Sequence, residues 1–237
     1  MVYIYYAAVL IGAYLVGSIP FGLLVVRVKT GKDIRQVESG RTGGTNAMRA
    51  AGWTAGVLTA VLDVSKAALC VWVARSLFSA QPWMHVLAGL AAVVGHNYSI
   101  FLIERDKKQG LRLRGGAGGA PTVGGAIGLW LPNLLIIPPL SFALLYFLGY
   151  ASVATMSVAL LAMIVFIIRA ALGDAPWVYA LYGLLAELLL LWALRPNIRR
   201  LLNGNERLVG WRARRRRQAP GAERDAPIPP TNQPEGR

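Results

Sequence analysis

Apolar stretches as long as a bilayer is thick recur along this chain, and they leave few fold classes open. A helix needs about 20 apolar residues to cross the hydrocarbon core. Residues 3–26, 53–78, 83–103, 151–168 and 175–194 each read as one span. Residues 118–150 stay apolar but carry Pro132, Pro138 and Pro139, so they read as two shorter helices. The expected fold is an all-α integral membrane protein with seven transmembrane helices. A mean hydropathy of +0.48 and 55% hydrophobic residues agree with that class and exclude an ordinary soluble domain.

The net charge of +14 describes topology rather than affinity for nucleic acid. Arg27, Lys29, Lys32, Arg35, Arg41 and Arg49 fall between the first two spans, and Arg105, Lys107, Lys108, Arg112 and Arg114 follow the third. Eleven more arginines follow the last span. With seven spans all three regions share one face, while the other keeps only Arg75, Arg169 and Asp174. Basic loops stay inside. The N-terminus is therefore expected outside, and the basic loops and C-terminus in the cytoplasm. No secretory signal is visible, because the first tract lacks a basic start and is too long. Residues 1–210 form the expected membrane domain. Residues 211–237 are expected to be a basic, disordered tail whose Arg214–Arg217 run meets anionic head groups. The single Cys70 lies in an apolar run and reads as core.

Three polar segments carry the chemistry. Segment 39–49 reads Ser-Gly-Arg-Thr-Gly-Gly-Thr-Asn-Ala-Met-Arg, segment 112–122 reads Arg-Leu-Arg-Gly-Gly-Ala-Gly-Gly-Ala-Pro-Thr, and segment 195–200 reads Arg-Pro-Asn-Ile-Arg-Arg. Glycine-rich backbone aims successive N–H groups at an anion, and a guanidinium presents a planar fork of donors. Three such segments on one face point to one phosphate site at the lipid–water boundary. Asn46 and Arg49 share a face if Thr45 starts a helix, as do Asn197 and Arg200. The glycine loop is not a Walker motif, since the closing Gly-Lys-Ser/Thr is absent.

Buried ionisable residues form a second group. Thr59, Asp63 and Lys66 follow a helical spacing, and Asp63 and Lys66 read as a structural pair inside the protein. His96, at the inner end of the third span, reads as a base, a phosphate ligand or a satisfied structural histidine. His85 lies at the outer end, away from this chemistry, and Glu187 is a further buried carboxylate. No His/Cys metal cluster, Gly-x-Ser-x-Gly elbow or His-x4-Asp box occurs. Neither a metal, nor a cofactor, nor a covalent acyl-enzyme is expected.

These residues resemble the acyl-phosphate-dependent glycerol-3-phosphate acyltransferases of bacterial membranes, the PlsY family. The likeness runs from about Gly12 to Glu206. It includes Gly17-Ser-Ile-Pro-Phe-Gly22, Asp33-Ile-Arg35, Ser39-Gly40, Gly43, Thr45-Asn46, Arg49, Asp63/Lys66, Gly95-His96, Ser99-Ile-Phe-Leu102, Asn197-Ile, Arg200-Leu, Gly204 and Glu206. It implies a multi-pass protein of the bacterial cytoplasmic membrane. It also implies transfer of an acyl chain from acyl phosphate to glycerol 3-phosphate, giving lysophosphatidic acid and phosphate.

The expected phosphate ligands are Ser39, Arg41, Thr45, Asn46, Arg49, Arg112, Arg114, Gly115, Gly116, Gly118, Asn197 and Arg200. Asp63, Lys66, His96 and Glu206 support them. Catalysis is expected to be substrate-assisted, with Ser39, Asn46, Arg49 and Asn197 positioning the reactants. Two family residues are missing: Ala117 stands where the family has a lysine, and Leu194 where it has a histidine. The family's asparagine after Ser-Gly is Arg41, and about nine extra residues precede the glycine loop. Arg41 and Arg112 are the candidate replacement cations. Two alternatives remain open at this point: another phosphorylated acceptor, or a non-catalytic lipid-phosphate binder or transporter.

Overall fold

The structure, a computed structural model of the chain, describes residues 1–106 and 110–218. Its first tract is not one helix. α1 (Val2–Ser18) stops at Ile19-Pro20, and α2 (Phe21–Thr30) resumes to a left-handed Gly31. Pro20 lacks the N–H that would continue the helix. The break frees the carbonyl of Ile19, which accepts from Lys66 Nζ at 2.8 Å. A short 3-10 turn (Ile34–Gln36) and α3 (Gly44–Ala51) follow, then the long α4 (Trp53–Leu77) and α5 (Pro82–Asn97).

The third expected span ends early. α5 stops at Asn97, and Ser99–Asp106 forms β1, paired antiparallel with β2 (Gly110–Arg114), Glu104 opposite Arg112. Helix was expected to Ile103. A short apolar run such as Ile100-Phe-Leu-Ile fits strand as well as helix, and pairing with 110–114 decides it. Lys107 and Lys108 lie outside the described residues.

α6 (Gly119–Leu129) and α7 (Asn133–Leu148) are the two expected shorter helices. They part at Trp130–Pro132, whereas Pro138 and Pro139 sit inside α7. α8 (Ala151–Ala171) and α9 (Val178–Ala193) pack on each other, and α9 bends by 70° into α10 (Arg195–Leu202). Pro196 fixes the first turn of α10. Among the described residues, Val2–Thr30, Trp53–Leu77 and Ala151–Ala171 are each long and apolar enough to span alone.

The core lies between α4, α5, α6, α8 and α9, where Phe166, Tyr182 and Leu190 are fully buried. Gly124, Gly125 and Gly128 give α6 a face without side chains, so it meets the backbone of α4 and the Tyr182 ring directly.

Residues 211–218, expected to be disordered, belong to α11 (Gly210–Gln218). Trp211 Nε1 donates to Tyr146 O at 2.8 Å, and Arg212 donates to the carbonyls of Phe147 and Leu148. Those bonds satisfy the end of α7, which is the reason this stretch is held. The rest of the tail, 219–237, lies outside the described residues.

Candidate functional site

The three polar segments meet. A cavity of about 390 Å³ opens among α3, α4, the glycine loop, the start of α8 and the α9–α10 bend. That volume suits a small ligand. Its polar wall holds Ser39, Arg41, Thr45, Asn46, Arg49, His96, Gly118, Ser152, Thr155 and Asn197. Its apolar wall holds Met48, Trp53, Val57, Phe142, Leu145 and Leu194. Trp53 and Phe142 are mostly exposed, so this wall reaches the molecule's apolar outer surface.

The first loop is shaped by Asn46. Its buried Nδ2 donates to Arg41 O at 2.8 Å and Val37 O at 3.0 Å, with Ile34 O at 3.2 Å. The amide thus ties the loop before α3 to the helix itself, and Ser39, Arg41 and Arg49 reach the cavity from one support. Replacement of Asn46 by alanine is expected to abolish transfer nearly completely, because three carbonyls lose their donor at once. Retained activity in purified N46A would remove Asn46 from the site.

The glycine loop is fastened to this support. Thr42 N donates to Gly115 O at 3.3 Å, and Gly116 N donates to His96 O at 2.9 Å. A Cβ on Gly116 would overlap the His96 ring, and one on Gly115 the carbonyls of His96 and Asn97. These two glycines are needed for close approach and lie behind the cavity. Gly118 lines it, with a left-handed φ of 92°. Leu194 and Ala117, where the sequence resemblance leads one to expect histidine and lysine, also line it.

Asp63, Lys66 and His96 form one buried cluster. Lys66 Nζ lies 2.7 Å from Asp63 Oδ1 and 3.1 Å from His96 Nδ1, and His96 Nδ1 is 3.4 Å from Asp63 Oδ1. The Lys–Asp pair is close in distance but poorly aligned, so neither carboxylate oxygen gains a directed hydrogen bond among the described residues. With Nδ1 at the cluster and Nε2 against Gly116, both ring nitrogens of His96 face protein. The structural reading of His96 is the one this geometry favours.

Glu206 gathers the third segment. It accepts from Asn197 Nδ2 at 2.8 Å, Arg200 Nε at 2.9 Å and Ser152 Oγ at 3.1 Å. Asn197 reaches the cavity, while Arg200 is spent on Glu206 outside it. Replacement of Glu206 by alanine should free Asn197 and Arg200 and raise KM about tenfold, the loss of roughly one charged hydrogen bond. An unchanged KM would show that Asn197 needs no such support.

Besides Gly115, Gly116 and Arg200, two more expected ligands, Arg112 and Arg114, lie outside the cavity lining. Arg112 is exposed on β2 opposite Glu104, and Arg114 pairs with Glu104 at 3.3 Å. Glu104 also pairs with Arg35 at 3.0 Å, and Arg35 holds the Asp33 carboxyl below its usual range. The hairpin is therefore strapped to the first loop, and strand geometry keeps Arg112 and Arg114 away from the cavity lining. Arg112 is not a replacement cation in this arrangement.

Arg41 does lie in the cavity. Its Nη2 donates to Ala193 O at 2.6 Å, one residue before Leu194. Burial holds its pKa below the ordinary value, and the nearby Arg200 pushes the same way. A lysine here would start lower and be pushed down too, losing its charge as pH rises. Arg41→Lys should therefore show a KM that climbs in alkaline solution while the wild-type KM stays flat. Parallel profiles would remove Arg41 from the site.

Sequence reasoning missed Ser152 and Thr155, hydroxyls three apart at the start of α8 that line the cavity. Their helical spacing in an otherwise apolar run was the available signal. It also missed Glu104, whose partners are remote in sequence.

A helical membrane protein with an arginine-bearing polar cavity beside an apolar wall is the class that fold and site define. The chain belongs to the family described as Glycerol-3-phosphate acyltransferase, whose sequence profile matches residues 7–204. A relative of that name from Thermus thermophilus is 40% identical over 204 residues, covering 86% of this chain and 95% of its own. One from Rubrobacter xylanophilus is 39% identical over 205 residues, covering 86% and 95%. Among solved structures, PlsY, an integral membrane glycerol 3-phosphate acyltransferase, is similar in its glycerol 3-phosphate form. The TM-score is 0.74 at 30% identity, covering 86% of this chain and 96% of that one. Its lysophosphatidic acid form gives 0.72 at 28% identity.

Proposed function

We propose that this protein is a membrane glycerol-3-phosphate acyltransferase that takes its acyl chain from acyl phosphate. The observation that carries the reading is the cavity itself: Arg41 and Arg49 in a polar wall, directly beside an apolar wall that reaches the outer surface. An anionic head group fits the first wall and an acyl chain the second. Ser39, Thr45, Asn197 and the backbone at Gly118 complete the polar wall, with Asn46, Asp63, Lys66, His96 and Glu206 holding it in shape.

The chemistry needs no protein nucleophile. The acceptor hydroxyl oxygen attacks the acyl carbonyl carbon, the bond from that carbon to the phosphate oxygen breaks, and phosphate leaves with the electron pair. The hydroxyl proton passes to a substrate phosphate. Positioning two anions and stabilising the developing charge supply the rate. Seven spans, an outer N-terminus and a cytoplasmic cavity in the bacterial cell membrane complete the proposal. The basic face and the apolar helices support that topology.

Labelled glycerol 3-phosphate offered with palmitoyl phosphate should become labelled lysophosphatidic acid. Equal rates with palmitoyl-CoA would overturn the donor. Faster turnover of another phosphorylated alcohol, which the apolar Ala117 and Leu194 make worth testing, would overturn the acceptor.

A further inference from the structure

We propose that α11 is a membrane-surface helix that docks on anionic lipid head groups and transmits that contact to the cavity through the end of α7. The proposal rests on the acyl-transfer reading of the cavity. α11 lies beyond residues 7–204, which the family profile matches.

Segment 208–212 grips the α7–α8 junction at four consecutive carbonyls, those of residues 146–149. Val209 N donates to Gly149 O at 2.8 Å, Trp211 Nε1 to Tyr146 O at 2.8 Å, and Arg212 Nη1 to Phe147 O at 3.1 Å and Leu148 O at 3.0 Å. Leu208 also bridges to Tyr150. The last carbonyls of a helix otherwise lack partners. On both sides of this junction lie cavity residues: Phe142 and Leu145 on α7, Ala151, Ser152 and Thr155 on α8. A pull on α11 therefore acts on the wall of the cavity.

The charge of α11 names its partner. Gly-Trp-Arg-Ala-Arg-Arg-Arg-Arg-Gln carries five arginines and no acidic residue. Trp211 lies 6.0 Å from the Tyr146 ring, an aromatic pair of the kind found at a membrane interface. Phe142, Tyr146 and Phe147 of α7 are exposed and apolar, the surface of a helix that faces acyl chains. Arg212 is held beside such a helix, and the basic run that follows it in sequence has anionic lipid head groups as its natural counterion. Nucleic acid would have to reach the same arginines across that head-group layer.

The test uses the full chain in vesicles of phosphatidylcholine alone, and of phosphatidylcholine and phosphatidylglycerol in equal parts. Trypsin should cut wild-type α11 on the order of tenfold more slowly on the anionic vesicles, and acyl transfer should be at least about threefold faster there. A variant with R214Q, R215Q, R216Q and R217Q should transfer at one rate in both. The W211A/R212A variant should keep the protection of the remaining arginines but lose the rate response. Equal trypsin cutting in both vesicles would overturn the proposal, as would a full rate response in the four-glutamine variant. So would protection by RNA on neutral vesicles with none from lipid. Protection without acyl transfer in either vesicle would support the docking and overturn the reaction on which the coupling depends.

Discussion

Arg49→Ala is expected to lower kcat/KM for glycerol 3-phosphate about a thousandfold, close to 4 kcal/mol, while leaving the folded protein intact. The other cations near the cavity are already engaged. Arg35 pairs with Asp33 and Glu104, Arg114 with Glu104, Arg200 with Glu206, and Arg41 spends one donor on Ala193 O. Arg49 lines the cavity, and among the described residues its guanidinium has no hydrogen bond or ion pair. It therefore presents five unspent donors to a ligand. For the same reason its removal takes nothing from the fold. Activity within about tenfold of wild type, with an unchanged melting profile, would move the phosphate elsewhere; a decade is worth only about 1.4 kcal/mol.

Gly116→Ala should destabilise the protein by about 3 kcal/mol and take activity with it. The added methyl group would overlap the His96 ring, and that ring has little room to retreat. Its backbone carbonyl is held by Gly116 N, and its Nδ1 lies beside Lys66, which in turn braces Asp63 and the carbonyl at the α1–α2 break. Moving His96 therefore disturbs a buried charge cluster as well as packing, and uncompensated buried charge is costly. Gly43→Ala is the control. Its backbone has an ordinary negative φ of −84°, and no atom lies within 4 Å of the added methyl. Thermal unfolding in one detergent should separate the two clearly; equal midpoints would show that His96 is free to shift.

Much of this architecture is legible in the sequence, and the misses share a cause. Hydropathy alone marks the membrane class, and the glycine–arginine segments mark the ends of helices that converge. Pro20 signals the break in the first tract, although a span count reads through it. The hairpin is harder, because Ile100-Phe-Leu-Ile satisfies helix and strand alike until its partner is known. Arg112 and Arg114 look like cavity cations from spacing, yet the strand places them by Glu104, a contact set by fold rather than by local pattern. The same holds for α11. Its composition reads as disorder, but Trp211 finds its acceptor 65 residues away on α7. Long-range partners, not local propensity, decide these elements.

The most direct test counts both products together. Purified protein with palmitoyl phosphate and glycerol 3-phosphate should release phosphate and form lysophosphatidic acid one for one, and Arg49→Ala should lose both in the same proportion. Phosphate released without the lipid, or tight glycerol 3-phosphate binding with neither product, would contradict direct transfer within the arginine-lined cavity.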